Sequence, residues 1–403
     1  KLYDKLLVWK QQTAGTKALL IEGARRIGKS TLVEEFAKNE YRSYLMIDFN
    51  KVSDSVISAF NNYMNDLDTF FLILSSEYGV RLYPKESIII FDEIQQFPKA
   101  RQAIKYLVAD GRFDYIETGS LISIKENVND ITIPSEERTL LMYPMDFEEF
   151  AWAMNEEPLM AYIRQCFDKK VPLEQGIHAK AMLLFRQYMI VGGMPKSLSA
   201  YLENNRSFEM ADMEKRDILT LYRNDIKKIK SGYRSSVLSI FDQIPAFLSR
   251  SERRVVMNRI EKGASFPKYH DTFFWLSDSM IANECFNCSD PNVGLSLNED
   301  RTYVKCYMGD TGLLISHTFD ENEISDGELY REILLGKLSV NEGMFYENVI
   351  AQMLVAAGHK LYFYTRYNQE KHRNDMEIDF ILSNHSKLRY KIFPIEVKSN
   401  DKY

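Results

Sequence analysis

The N-terminal third of the chain alternates between short apolar runs and longer segments whose apolar residues recur every three to four positions. The short runs are rich in Ile and Leu throughout, which is typical of parallel strands buried on both faces. The segments between them, such as 30–39 and 100–110, have helical periodicity. This alternation predicts an α/β layered domain with a parallel sheet. The candidate strands are 18–22, 43–49, 87–91, 115–118 and 139–143.

In the middle of the chain the pattern becomes helical. Residues 178–193 place apolar side chains at three-to-four spacing and end in Gly192-Gly193, which is typical of a helix end. Further helical patterns lie between 235 and 283, with a turn at 263–267. They favour a helix-turn-helix unit, so we expect a helical and winged-helix-like region here.

The last part of the chain returns to a mixed pattern. A helical segment at 342–357 precedes strand-like runs at 360–366, 377–382 and 391–397. The chain stops soon after the last run and begins without Met, so we expect the ordered part of a longer protein. The final domain is therefore expected to be C-terminally incomplete.

Composition narrows the class of protein. The 403 residues suggest two or three domains, and 45% hydrophobic with 27% charged residues is ordinary for a globular chain. The net charge of −6 excludes a protein that is basic over its whole surface. Four irregularly spaced cysteines favour a reducing compartment, and no apolar run reaches the length of a membrane helix. We expect a cytoplasmic protein without a membrane segment.

A phosphate-binding loop follows the first candidate strand. The sequence GARRIGKS at 23–30 matches G-x-x-x-x-G-K-[ST] and lies between the strand ALLIE and the helical segment TLVEEFAK. Glycines let the backbone N–H groups surround an anion at a helix N-terminus. Lys29 supplies a cation for the phosphates, and Ser30 supplies a hydroxyl for Mg²⁺. The expected nucleotide-binding residues are Gly23, Ala24, Arg25, Arg26, Ile27, Gly28, Lys29, Ser30 and Thr31.

Two further strand ends carry polar groups. The run SIIIFDEIQ ends in Asp92-Glu93, and a buried strand rarely ends in two acids unless they have a role. Asp92 is expected to hold Mg²⁺ and Glu93 to act as the general base that activates water. The next strand ends in ETGS, where either Thr118 or Ser120 is a candidate contact for the γ-phosphate or the water. A simple Thr-Gly-Ser turn is the alternative.

The motifs follow one another in an order that resembles a known family. The segments LLIEGARRIGKST, IIIFDEIQQFP, RTLLMYPMDFEEF, YMIVGGMPKSL, YMGDTGLL, NEGMFYENVIA and PIEVKS are similar to those of bacterial and archaeal AAA+-like ATPases. In that family, the ATPase domain is joined to a C-terminal domain of unknown function with a restriction-endonuclease-like part. The resemblance implies ATP as the nucleotide and covers most of the chain.

The resemblance also implies a role for an arginine near the last strand of the ATPase domain. Arg138 occupies the place where the family often has an Arg, and it is expected to sense nucleotide or to act on a neighbouring subunit's γ-phosphate. Arg25 and Arg26 are alternatives for contacts around the phosphates. A surface role for Arg138 remains open.

The middle of the chain contains a basic stretch. Residues 221–270 hold 11 Lys or Arg and 4 Asp or Glu, a net charge of +7 that is opposite in sign to the whole chain. This pattern indicates either a solvated helical face or a winged-helix module that contacts the phosphate backbone of DNA. A homo-oligomer or a protein partner is the other expected kind of partner.

A second acidic constellation lies in the C-terminal part. Asp379 in the run EIDFIL and Glu396-x-Lys398 in PIEVKS have the order of a PD-(D/E)xK nuclease core, and Glu347 on the preceding helix adds a third acid. In such a core, Asp379 and Glu396 hold a metal ion and Lys398 activates water. Glu396 and Lys398 lie two residues apart and thus on one face of a strand. A structural ion pair is the alternative.

Three domains are therefore expected, in an α/β architecture. They are an AAA+-like ATPase domain at 1–150, a helical and winged-helix-like region at 151–300, and a restriction-endonuclease-like domain at 301–403. The first hypothesis is an ATPase that uses ATP and Mg²⁺ and is coupled to the C-terminal part. The alternatives are an ATP-gated sensor or scaffold for a protein partner, and an ATP-stimulated DNA nuclease.

Overall fold

In a computed structural model, the chain forms two compact units, Lys1–Tyr143 and Pro144–Tyr403. The structure describes residues 1–120, 134–229, 232–250, 253–255, 257–260, 266–292, 294–320, 327–336, 342–368, 373–383 and 392–398. Within these ranges, no helix has both the length and the apolar character needed to cross a bilayer.

The first unit is built on a five-stranded parallel sheet with the strand order β2-β3-β4-β1-β5. Each predicted strand of the N-terminal third is present, with ends within two residues of the prediction. The parallel α/β sheet expected from the sequence is thus confirmed. The strands are β1 (Ala18–Gly23), β2 (Ser43–Asp48), β3 (Ser87–Asp92), β4 (Asp114–Gly119) and β5 (Glu137–Met142).

Helices cover both faces of this sheet. Side chains alternate between the two faces, so Ile88 and Ile90 pack with Phe36 on one side while Ile89 and Phe91 pack into a second core on the other. This double burial explains why the strands are apolar throughout and do not alternate with polar residues. The helices are α1 (Leu2–Gln12) and α2 (Lys29–Glu40) on the first side, and α3 (Asp54–Asn62), α4 (Leu67–Tyr78) and α5 (Pro98–Asp110) on the second.

The second unit begins with helices, as the sequence pattern predicts. The described helices before its sheet are α6 (Phe147–Ala153), α7 (Glu157–Lys169), α8 (Gln175–Val191), α9 (Pro195–Glu203), α10 (Phe208–Lys227), α11 (Arg234–Leu248), α12 (Met257–Ile260) and α13 (Phe266–Asp278). Part of the predicted turn at 263–267 lies outside the described residues. Helix α8 ends at Val191, directly before Gly192, which has a φ of +81°.

The sheet of the second unit has four strands in the order β7-β6-β8-β9, followed by a two-stranded β10-β11 ladder. The expected domain boundary near residue 300 runs through this sheet, because β6 and β7 are hydrogen-bonded neighbours and β6 also pairs with β8. The elements are β6 (Ala282–Cys288), β7 (Glu299–Met308), α14 (Thr311–Thr318), α15 (Gly327–Leu335), α16 (Gly343–Ala356), β8 (Leu361–Asn368), β9 (Arg373–Ile378), β10 (Phe380–Ser383) and β11 (Ile392–Ile395).

Candidate active site

The loop at 23–28 connects the end of β1 with the start of α2. Two of its residues have left-handed backbone angles, with φ of +69° at Arg26 and +90° at Gly28. A Cβ at Gly23 would lie 2.4 Å from both the Met142 carbonyl oxygen and the Ile27 Cδ1, so only glycine fits there. The loop therefore has the tight backbone path that brings N–H groups around a bound anion.

Lys29 is buried at the start of α2, where it faces this loop. Its Nζ donates to the carbonyl oxygens of Gly23 (3.1 Å) and Ala24 (3.0 Å). Burial lowers the pKa of Lys29, and the nearby carboxylates of Glu93 and Asp92 oppose that shift. The ammonium group is thus held against the phosphate-binding loop while acidic groups favour its charged form.

Asp92 collects two hydroxyl groups on one oxygen. Ser30 Oγ donates to Asp92 Oδ1 (2.7 Å), and Thr118 Oγ1 donates to the same oxygen. Asp92 ends β3 and Thr118 lies near the end of β4, and both strand ends are at the carboxyl edge of the sheet, where α2 with Ser30 begins. Of the two candidates at the end of β4, Thr118 is the hydroxyl that contacts Asp92, whereas Ser120 lies just beyond the strand.

Glu93 begins the segment after β3 with an unusual backbone conformation. Its φ is +56°, and its backbone N–H donates to Thr118 Oγ1 (3.4 Å). Gln95 Nε2 donates to Glu93 Oε2, so the amide fixes the carboxylate of the candidate base. We did not single out Gln95 from the sequence. Its signal there is a polar side chain two residues after the acidic pair.

The residues present fit a magnesium ion bound with nucleotide. A carboxylate and a hydroxyl are hard oxygen ligands of the kind Mg²⁺ takes in phosphate sites. Asp92 Oδ1 and Ser30 Oγ already lie 2.7 Å apart, beside the buried ammonium group of Lys29. Ser30 and Asp92 are thus the two side chains that could hold the ion.

Arg138 does not join this constellation. It is exposed near the beginning of β5, where it is in register with Leu19, while the phosphate-binding loop begins at Gly23. Four residues along a strand correspond to about 13 Å. Arg138 is thus distant from the loop along the strand, and both a role towards a neighbouring subunit and a surface role stay predictions. Arg25 is half-buried in the loop and Arg26 is exposed.

A buried charged cluster lies under α5, next to the nucleotide site. Arg101 makes two hydrogen bonds to the Glu137 carboxylate, at 2.9 and 2.7 Å. Glu117, which precedes Thr118, and Glu22, which precedes Gly23, are buried on the same face of the sheet. Burial, and after it the Glu137 charge, raises the pKa of Glu117 well above its ordinary value. In the sequence, Glu22 and Glu117 are acidic residues within otherwise apolar strands, and this is the signal that could have indicated the buried cluster.

In the second unit, Glu347 meets basic groups in the interior. Helix α16 places it fully buried, and Lys305 Nζ approaches its Oε1 at 3.1 Å. The Tyr307 hydroxyl donates to the same oxygen, and the Arg253 guanidinium pairs with Oε2. Burial lowers the pKa of Lys305, and acidic neighbours, Asp379 and Glu377 among them, oppose this. The sequence pattern did not predict a role in this cluster for Lys305, Tyr307 or Arg253.

The other members of the predicted nuclease constellation lie differently from expectation. Asp379 lies at a bend between β9 and β10, whereas the sequence predicted one continuous strand there. Strand β11 ends at Ile395, so Glu396 and Lys398 follow the strand, where they pair with each other in a largely exposed position. Asp379 Oδ2 accepts the Val397 backbone N–H (2.9 Å).

A divalent metal does not fit this second cluster. Lys305 Nζ lies among the carboxylates of Glu347, Glu377 and Asp379, at 3.1, 3.6 and 3.8 Å, and thus takes the space between them. Metal binding by Asp379 with Glu396 stays a prediction. Among the described residues, no group of three or more His, Cys, Asp or Glu has metal-binding geometry. We therefore derive no metal-dependent step from these residues.

Part of the basic stretch at 221–270 is used inside the second unit. Arg223 pairs with Asp242 (3.0 Å) and Asp320 (2.7 Å), and Lys228 pairs with Asp225 (3.0 Å). Asp225 and Asp242 already count among the four acids of the stretch, so the additional negative charge comes from Asp320 and from Glu347, which pairs with Arg253. DNA binding by this stretch stays a prediction.

Three family models match parts of the chain. An AAA domain model matches residues 15–151, a domain of unknown function (DUF8612) matches 182–323, and another (DUF4143) matches 342–403. The first match covers the whole constellation around Lys29 and Asp92. The N-terminal unit is an AAA-type P-loop domain. Among curated proteins, none matches the chain.

Several solved structures align with this chain at low similarity. PCH-2 from C. elegans is 14% identical, with 46% of this chain and 54% of that chain covered and a TM-score of 0.24. Cdc6p from Pyrobaculum aerophilum is 10% identical (84% and 93% covered, TM-score 0.28), and AMPPCP-bound DnaA from Aquifex aeolicus is 11% identical (69% and 87%, TM-score 0.26). The chain thus spans about half the length of the PCH-2 chain.

Proposed function

We propose that the N-terminal unit binds ATP with Mg²⁺ and hydrolyses it. The observation that carries this proposal is the convergence of Ser30 and Thr118 on Asp92 beside the buried Lys29. The loop N–H groups and Lys29 bind the phosphates, while Ser30 and Asp92 hold the ion. When bound, Mg²⁺ neutralises phosphate charge.

The same arrangement assigns roles to the groups at the ends of β3 and β4. Glu93 acts as the general base that takes a proton from the attacking water, and Gln95 keeps its carboxylate in place. Thr118 hydrogen-bonds both the Asp92 side chain and the Glu93 backbone N–H. In this proposal, Thr118 is the side chain that couples γ-phosphate binding to the end of β4.

Two substitutions separate binding from chemistry. Lys29→Ala is expected to abolish both nucleotide binding and hydrolysis, because it removes the only buried cation described at the loop. Glu93→Gln is expected to retain binding and to lose hydrolysis by about 100-fold or more. Binding is measured by titration with a fluorescent ATP analogue, and hydrolysis by phosphate release with Mg²⁺ present.

The exposed Lys51 provides the control, since Lys51→Ala removes a lysine of the same unit outside the site. It is expected to leave binding and hydrolysis unchanged. Hydrolysis at the unmodified rate in Lys29→Ala, or hydrolysis in Glu93→Gln equal to that of the unsubstituted protein, contradicts the assignment.

For the second unit, an ATP-gated sensor or scaffold is the better supported of the two alternatives. The observation that favours it is the pairing of the buried Glu347 with Lys305 and Arg253, which gives this acid basic partners from the chain itself. The competing nuclease hypothesis requires Glu396 for cleavage. Incubation of DNA with Mg²⁺ or Mn²⁺ tests it, and cleavage that is lost in Glu396→Ala would revive it.

A further inference from the structure

The acidic cluster of the second unit is arranged around one side chain. Lys305 comes from β7, and its side chain is 1% exposed. Its Nζ lies 3.1 Å from Glu347 Oε1, 3.6 Å from Glu377 Oε1 and 3.8 Å from Asp379 Oδ1. The ammonium group thus has three carboxylates within ion-pair distance, which come from two chain segments, α16 and the stretch 377–379. Neither segment is adjacent to β7 in sequence.

Glu347 and Asp379 make further contacts besides those to Lys305. Tyr307 donates to Glu347 Oε1, Arg253 pairs with Glu347 Oε2, and the Val397 N–H donates to Asp379 Oδ2 at 2.9 Å. A magnesium or calcium ion requires direct oxygen contacts of about 2.0–2.6 Å from several ligands. Here, the Glu347 oxygen lies within hydrogen-bond distance of the Lys305 nitrogen, and the Glu377 and Asp379 oxygens lie within ion-pair distance of it.

The charges within the cluster nearly balance. Three carboxylates face two basic side chains, and a buried carboxylate is costly unless it is paired in this way. The Glu396–Lys398 pair adds no net charge, and at 46% and 60% side-chain exposure it is mostly in solvent. The two members of the predicted motif that lie next to each other are therefore outside the buried cluster.

We propose that the Lys305 ammonium group is the resident cation of this cluster, in the place that a divalent metal ion would take between the Glu347, Glu377 and Asp379 carboxylates. Lys305 joins β7 to α16 and to the bend at Asp379 by charge, as a structural metal does by coordination. The cluster then serves as a fixed ionic core of the second unit. Removal of the lysine leaves a space between the carboxylates in which a divalent cation can bind.

The test uses the full chain with Ser30→Ala in every sample, so that the nucleotide site contributes little metal binding. Lys305→Met is expected to lower the thermal unfolding midpoint in EDTA by roughly 10 °C. Addition of Mn²⁺ is expected to restore part of that loss. A further Asp379→Asn or Glu347→Gln substitution is expected to abolish the restoration, because it removes a ligand of the new site.

Lys360→Met is the matched control. Lys360 is a half-exposed lysine of the same unit, and its partner Glu299 keeps a second basic neighbour, Arg301. It is expected to change the midpoint by about 2 °C or less and to gain no Mn²⁺ response. A Lys305→Met protein as stable as Lys360→Met overturns the proposal.

A second measurement decides the question even where Lys305→Met fails to fold. Bound Mn²⁺ is counted by electron paramagnetic resonance in the chain that retains Lys305, with and without Asp379→Asn. The proposal expects the same amount of bound Mn²⁺ in both. Binding that disappears with Asp379→Asn shows a metal site in the presence of the lysine and overturns the proposal.

Discussion

At the scale of single residues, the buried acid Glu117 is the most unusual group of the first unit. It is 0% exposed, and the charged groups that face it are Glu22 from β1, Glu137 from β5 and Arg101 from α5. The carboxylates of Glu137 and Glu22 add to the effect of burial on Glu117, and Arg101 opposes it. Burial and Glu137 therefore raise the pKa of Glu117, which favours a protonated carboxyl group.

This shift predicts a pH-dependent stability. A carboxyl group whose folded pKa is raised stabilises the fold fully below its unfolded pKa of about 4.3, and that contribution is lost as the pH rises towards the folded pKa. The loss is at most about 1.4 kcal/mol per pH unit. Glu117→Gln is expected to be more stable than the unsubstituted protein at pH 8 and to differ little from it at pH 4.

Urea unfolding of the first unit between pH 4 and pH 8 measures this difference. Glu86→Gln is the control, because Glu86 is exposed and only forms a surface pair with Arg42 (2.9 Å). Its effect is expected to stay below about 1 kcal/mol. Parallel pH curves for Glu117→Gln and the unsubstituted protein contradict a raised pKa.

At the scale of elements, one aspartate connects three helices of the second unit. Asp310 is the N-cap of α14, where Oδ1 accepts the Leu313 N–H at 2.9 Å. Its Oδ2 accepts the Gly193 N–H at 2.6 Å, after the end of α8, and faces Gln352 of α16 at 3.3 Å. A Cβ at Gly193 would lie 2.2 Å from the Met145 carbonyl oxygen, so glycine is required where this backbone passes Met145.

Asp310→Ala is therefore expected to cost more than an ordinary helix cap. Loss of the cap itself costs about 1 kcal/mol, and the buried Gly193 N–H left without an acceptor adds about 1–3 kcal/mol. Ser207→Ala is the control in the same unit, since the Ser207 side chain accepts the Met210 N–H (3.3 Å) as the N-cap of α10. Chemical denaturation compares the two, and equal losses would show that the Gly193 contact contributes nothing.

At the scale of the whole molecule, the chain forms two compact units, and the nucleotide site lies in the first. The proposed relay of the ATP state to the second unit has a direct test by hydrogen–deuterium exchange. A non-hydrolysable ATP analogue is expected to protect residues 23–31, 87–93 and 114–119, because these line the site. Coupling also predicts altered exchange within 144–403.

Lys29→Ala is the control for this experiment, since both effects are expected to disappear when nucleotide no longer binds. Changes confined to the first unit would contradict the coupling while leaving the ATP site intact. Absence of any change in the unsubstituted protein would contradict the ATP site itself.

Local patterns in the sequence were enough for the core of the first unit. Strands, helices and the phosphate-binding loop are contiguous stretches, and hydrophobic periodicity with the fixed spacing of Gly23, Gly28, Lys29 and Ser30 specifies them without knowledge of distant residues. Asp92 and Glu93 stood out because acids at the end of an apolar strand are rare. The same reasoning predicted the helix end at Gly192.

Only the tertiary structure decided which distant side chains meet. Thr118 contacts Asp92, since the pairing of β3 with β4 brings these two strand ends together. In the second unit, sequence spacing suggested a metal site, yet folding brings Lys305 into its centre from an element that the motif does not include. A motif gives the ligands of a site, but the charge balance of a buried cluster depends on every element packed around it.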